Sequence, residues 1–186
     1  KLSYKKSRIG ISSLDKIFTN LSNDGRVLLR EFDPTGGSDE RQYCASELNL
    51  PVGQVARTVY QTNYQYHTSA DNKKFMKISQ VMKSISEIEN ILKINDSLYP
   101  LKRYMPYCEL QLSNRGLYPS INTSHTRNSS SDSILKDRKQ LNILLYILSY
   151  ADGKNNIVDI SNRSGFKLDE VKTVLNICIK RKLIKY

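Results

Sequence analysis

Histidine and cysteine are the scarce residues of this chain, and a membrane-spanning run is missing altogether. Its 186 residues include two histidines and three cysteines. Cys44, Cys108 and Cys178 are odd in number and far apart, which excludes a disulfide framework and the paired spacing of a zinc finger. A reducing, cytoplasmic setting fits that usage. No stretch approaches the roughly 20 apolar residues that a helix needs to cross a bilayer. No apolar signal core precedes a small-residue cleavage site, and no internal repeat is present. The chain opens on Lys1 and runs straight into Lys5, Lys6 and Arg8, so the expectation is a piece of a longer protein.

What is present in excess is positive charge, a net +11. Clustered cations release counterions from phosphate and so point to nucleic acid. Here the lysines are scattered along the sequence, and neither nucleic acid nor a membrane is expected as a partner.

The patterning gives an α/β reading. Apolar residues at Ile11, Leu14, Ile17, Phe18 and Leu21 follow a helical period, ended by the turn chemistry of Asn23-Asp24-Gly25. Arg26–Phe32 reads as a strand, closed by Asp33-Pro34 and two glycines. Gln54–Tyr60 reads as a second strand, with Pro51 ahead of it or at an edge. From an N-cap at Asp71, a long helix is predicted to bury Phe75, Ile78, Val81, Met82, Ile85, Ile88, Ile91 and Leu92. Its exposed side would carry Lys74, Lys77, Lys83 and Glu87. Residues 95–118 lack clean periodicity and are assigned to the first domain, 1–118. The Ser- and Asn-rich stretch 119–133 reads as a linker or mobile loop. Residues 134–186 read as three short helices and a terminal strand, with Gly165 marking the turn between the second and third. That is a winged-helix pattern.

Against this scaffold one segment stands out, Gly37-Ser38-Asp39-Glu40-Arg41-Gln42-Tyr43-Cys44. A core has no use for Asp, Glu, Arg and Gln side by side, and charged groups between strand-like runs mark a site carried by loops. One reading is a solvated turn with weak internal ion pairing. The other is a carboxylate that orients a ligand or metal, with Arg41 clamping a substrate carboxylate. His67, in Tyr66-His67-Thr68-Ser69-Ala70-Asp71-Asn72, is either a zinc ligand or a ring satisfied by a nearby carbonyl. Cys44 could pair with it as a nucleophile, but an inert buried thiol fits better. His125 is read as exposed. Lys167, Lys172, Lys180 and Arg181 could meet phosphates, though a solvated helix face is the commoner meaning.

Both segments resemble a bacterial family of polysaccharide-biosynthesis proteins with an aminopeptidase-like domain, also described as zinc peptidases. The likeness continues through Asn49–Gly53, Arg57-Thr58, Cys108–Tyr118 and the Ile157–Gly165 stretch, and so covers nearly the whole chain in order. It implies an α/β fold, the C-terminal part of a zinc-exopeptidase-like α/β/α sandwich followed by a small winged-helix domain. It implies zinc as cofactor and His67 as the last metal ligand. Asp39, Glu40, Arg41, Gln42 and Tyr43 would form the charged loop beside the metal, binding substrate or supporting ligands. The implied activity is amide hydrolysis on a peptide or N-acylated sugar intermediate, within surface-polysaccharide metabolism. The family's upstream ligands and its presumed base have no counterpart here. On its own the chain is therefore expected to be inactive, with the remainder of the peptidase-like domain as its partner and with residues 1–95 poorly covered. The alternative is a non-catalytic binding protein, a degenerate scaffold whose winged helix contacts protein or DNA.

Overall fold

The computed structural model describes residues 1–57, 59, 62–118 and 134–186. The linker reading of 119–133 and the exposure expected of His125 fall outside those residues. The chain divides into two compact units, Lys1–Leu98 and Tyr99–Tyr186.

The first unit is built on a three-stranded sheet in the order β2-β1-β3, from β1 (Leu2–Lys5), β2 (Val27–Arg30) and β3 (Gln54–Ala56). β1 runs parallel to β2, with Leu2 opposite Val27 and Lys5 opposite Arg30, and antiparallel to β3, with Tyr4 opposite Val55. The sequence reading passed over β1. Its four residues are all buried, including Ser3 and Lys5, so no alternation of polar and apolar residues announces it.

Helix α1 (Ser13–Asn23) forms over most of the stretch whose apolar spacing is helical, Ile11–Leu21, but starts two residues later, for a visible reason. The Ser12 hydroxyl accepts from the Asp15 amide at 3.1 Å, and the Asp15 carboxylate accepts from the Ser12 amide at 2.9 Å. That reciprocal cap satisfies donors a helix start leaves open. Ile17, Phe18 and Leu21 are buried, and Phe18 stacks on Tyr4 at 3.9 Å. Tyr4 also forces a glycine at position 53, because a Cβ there would collide with the phenol.

The long helix α3 (Ile78–Asp96) corrects two expectations. It begins at Lys77–Ile78 and not at Asp71. More consequentially, the apolar line expected inside lies outside. Ile91 alone of that line is buried, whereas Ile78, Met82, Ile85 and Leu92 are exposed. Glu87, expected on the solvent side, instead pairs with the Arg57 guanidinium, which also donates to Ser84 Oγ at 2.6 Å. Ile91 and Ile94 line a hollow of about 90 Å³ with Leu2, Leu21 and Val27.

The second unit holds helices α4 (Arg138–Tyr150), α5 (Ile157–Ser164) and α6 (Leu168–Lys180). A two-stranded antiparallel pair joins β4 (Lys102–Arg103) to β5 (Ile184–Lys185). Asp137 and Asn156 cap α4 and α5, and Gly165, at φ +73°, closes α5 in the left-handed conformation that favours glycine. The core gathers Leu144, Ile147, Ile160, Val171, Val174 and Cys178, all fully buried.

Residues 99–118, given to the first domain by the sequence reading, belong to this second core. Leu101 and Leu117 are buried within it. The backbone is stitched in as well, by Leu101 N–H to Asn155 O at 2.9 Å and Tyr104 N–H to Leu183 O at 3.0 Å. Isolated two-residue strands and single backbone bonds leave no period in a sequence, which is why this stretch read as irregular.

Candidate functional site

The charged loop follows the carboxyl end of β2, and β1, being parallel, ends on the same side of the sheet at Lys5. In open α/β sheets ligands bind outside the carboxyl ends of strands. Lys5 is 2 % exposed and forms an ion pair with Glu40, itself 5 % exposed. The Lys5 ammonium also donates to Gly36 O at 2.8 Å, and the Glu40 carboxylate accepts from the Ser38 amide at 3.0 and 3.2 Å. Gly37 sits at φ +156° against both groups, and a Cβ there would meet Glu40 Oε1 and lie 2.7 Å from Lys5 Nζ. Burial pushes the Glu40 carboxyl upward, but the Lys5 ammonium and the amides around it pull harder and hold it below its ordinary value.

With Glu40 turned inward, the rest of the loop is turned outward. Asp39, Arg41, Gln42 and Tyr43 are exposed around the short helix α2 (Glu40–Tyr43). The Arg41 guanidinium donates to Pro34 O at 3.2 Å, and Asp33 holds the entry to the loop by accepting from the Thr35 amide and hydroxyl at 2.8 and 2.7 Å. Five residues grouped together by the sequence thus divide into one anchor and four presented side chains. Cys44 is buried and its thiol is directed at Leu50 O and Val52 O, 3.4 and 3.3 Å away. That arrangement fits the inert role.

A second polar centre was not anticipated. Asp15 is buried and accepts from Ser7 N, Ser7 Oγ, Ser12 N, Ser12 Oγ and the Tyr4 hydroxyl, at 2.6–3.0 Å. Burial alone would raise its carboxyl, yet the bonds from Ser7 and Ser12 hold it below the ordinary range. Tyr4 moves the other way, pushed up first by burial and then by the Asp15 charge. The Ser12–Asp15 spacing was the one available signal for this centre, as a capping box.

His67 occupies an exposed turn at φ +60°, its ring stacked on Tyr66 at 3.9 Å. The turn is held by local bonds, among them Tyr66 N–H to Asn63 Oδ1 at 2.9 Å and Thr68 N–H to Gln65 O at 3.1 Å. A non-glycine residue at positive φ carries a backbone cost that elements around functional sites often retain. A catalytic zinc takes about three protein ligands. Among the described residues no three His, Cys, Asp or Glu side chains converge to hold a metal ion. These residues do not by themselves make a zinc site. Nor is any described helix long and apolar enough to cross a membrane.

Known proteins place the chain consistently. A relative from Clostridium acetobutylicum, named "Putative polysaccharide biosynthesis protein with aminopeptidase-like domain", is 30% identical over 187 residues, spanning 98% of this chain and 40% of the relative. The crystal structure of a "putative peptidase" from Clostridium acetobutylicum superimposes with a TM-score of 0.72 at 26% identity, covering 99% of this chain and 38% of that one. The chain thus spans about two-fifths of the length of the proteins it matches. Residues 99–186 match the winged helix-turn-helix family model. Residues 1–97 match the family described as "Domain of unknown function (DUF4910)", and the chain belongs to that family.

Proposed function

We propose that this chain contributes part of the site of an aminopeptidase-like amide hydrolase, completed by a segment like the one its relatives carry outside the matched region. The observation that carries the reading is the loop at the carboxyl ends of the two parallel strands. The buried Lys5–Glu40 pair fixes its base, and Asp39 and Arg41 are presented above it. The α/β unit would then be the C-terminal part of a zinc-exopeptidase-like sandwich. His67 is the residue we assign to zinc, as one ligand of a set whose other members lie outside the described residues. Arg41 would bind a charged end of the substrate, with Asp39, Gln42 and Tyr43 beside it. A peptide or an N-acylated sugar intermediate is the substrate class, the second favoured by the relative's name, and cytoplasmic action fits the free thiols.

The test is turnover by the chain combined with the complementary segment of the Clostridium relative, on amino-acid anilides and N-acetylated amino sugars. His67→Ala should abolish hydrolysis of whichever class is cleaved, with helix content unchanged. Arg41→Lys should raise KM more than it lowers kcat, because an ammonium cannot reproduce the bidentate grip of a guanidinium. Full activity in His67→Ala contradicts the reading.

One observation favours a binding protein as the second reading. The Tyr99–Tyr186 unit carries 15 of the 29 Lys and Arg but 7 of the 18 Asp and Glu, a net +8 out of +11. The asymmetry comes from fewer acidic side chains, since Lys and Arg divide almost evenly, 15 here and 14 in the first unit, and Lys172, Asn176 and Lys180 share the exposed face of α6. It ranks second because Asp169 and Glu170 occupy the first turn of α6, the end that a recognition helix points at base edges. Duplex affinity that collapses between 50 and 200 mM salt, by about 10³-fold for six phosphate contacts, would promote it.

A further inference from the structure

Helix α3 has two apolar lines where a surface helix has one. The inner line, Ile91 and Ile94, lies with Leu2, Leu21 and Val27. The outer line is Ile78, Met82, Ile85 and Leu92, at 79, 57, 52 and 50 % exposure, flanked by Val81 and Ile88. Spacings of four, three and seven residues put these side chains on one face, and at 1.5 Å per residue the line runs about 20 Å. Glu89 interrupts the line, four residues after Ile85 and three before Leu92 on the same face, and is paired with Lys93 at 2.7 Å. An exposed apolar line of that length marks an interaction surface even with one charge set in it.

We propose that this outer face of α3 is the docking surface for the remainder of an aminopeptidase-like domain, the part of the relatives that this chain does not match. The inference rests on the function proposed above and names the partner of that site. Two observations select this occupant. The matched proteins run to about two and a half times the matched length, so most of their fold lies outside the region shared with this chain. The shared fold covers 99% of this chain, α3 included, so the strip belongs to an architecture that elsewhere comes with that additional mass. A second copy of this chain is the competing occupant. The partner brings an apolar helix or sheet face of matching length, on the same polypeptide or on another.

The experiment is co-expression of the full chain with the unmatched part of the Clostridium relative, followed by affinity capture and light scattering. The expected result is a one-to-one complex, with the segment recovered in soluble form. The Met82→Glu, Ile85→Glu double variant should capture at least about tenfold less, a loss of roughly 1.4 kcal/mol or more. Both side chains face outward, so circular dichroism should show the helix intact. Lys83→Glu, on the side of the helix opposite Ile85, should capture normally. Capture insensitive to the double variant, a segment that stays insoluble with the wild-type chain, or a homodimer broken by Ile85→Glu without capture would each overturn the proposal. A complex that forms through α3 but holds no zinc at His67 would leave the docking surface standing and sink the hydrolase reading. Zinc held at His67 in a complex that the double variant does not weaken would do the reverse.

Discussion

Lys5 is the residue on which the charged loop depends. It sits at the end of a central strand, where a buried ammonium is tolerable only because Glu40 and Gly36 O receive it. Removing one member of a buried pair leaves the other uncompensated, at a cost of about 3–5 kcal/mol. Lys5→Met should therefore lower the stability of the first unit by that order in urea unfolding, and Lys5→Met with Glu40→Leu should recover much of it. The two buried carboxylates also set a pH dependence. Glu40 and Asp15 both have folded values below their ordinary ones. Their contribution is present above the unfolded values near 4 and is lost as pH falls through the lower folded values. The urea midpoint should be flat from pH 7 to 5 and fall steeply below about 4. In Asp15→Asn it should start lower at pH 7 and change less with acid. A midpoint that rises on acidification would contradict both assignments.

At the scale of elements, legibility followed local chemistry. α1, α5 and α6 could be read because caps and apolar spacing are written within a dozen residues. Gly165 illustrates this, since its φ of +73° serves the chain reversal alone and no atom lies within 4 Å of a Cβ placed there. Gly165→Ala should thus cost about 1 kcal/mol of backbone strain without a clash, visible as a Tm lower by roughly 4–8 °C if the second unit melts on its own. What escaped the sequence depended on distant partners. β1 went unread because a lysine in a strand looks solvated until Glu40 is seen beside it. The orientation of α3 went unread because a helix with two apolar lines shows which residues want cover and not which line this chain covers. The same limit applied to the site: the polar cluster was legible as a cluster, and the inward turn of Glu40 was not.

The whole molecule joins an α/β unit with a presented charged loop to a winged-helix unit that holds most of the net charge. The first unit offers both a candidate site and an apolar strip, and each looks incomplete in the same way. The loop has no convergent set of three metal ligands among the described residues, and α3 has one of its two apolar lines covered. On the reading proposed above, one neighbouring segment completes both. The most direct check is the zinc content, by elemental analysis after purification without chelator, of the chain assembled with the complementary segment of the Clostridium relative. The account predicts stoichiometric zinc in the wild-type assembly and its loss in His67→Ala. Zinc unchanged by that substitution, or no zinc in the assembled wild type, would contradict it.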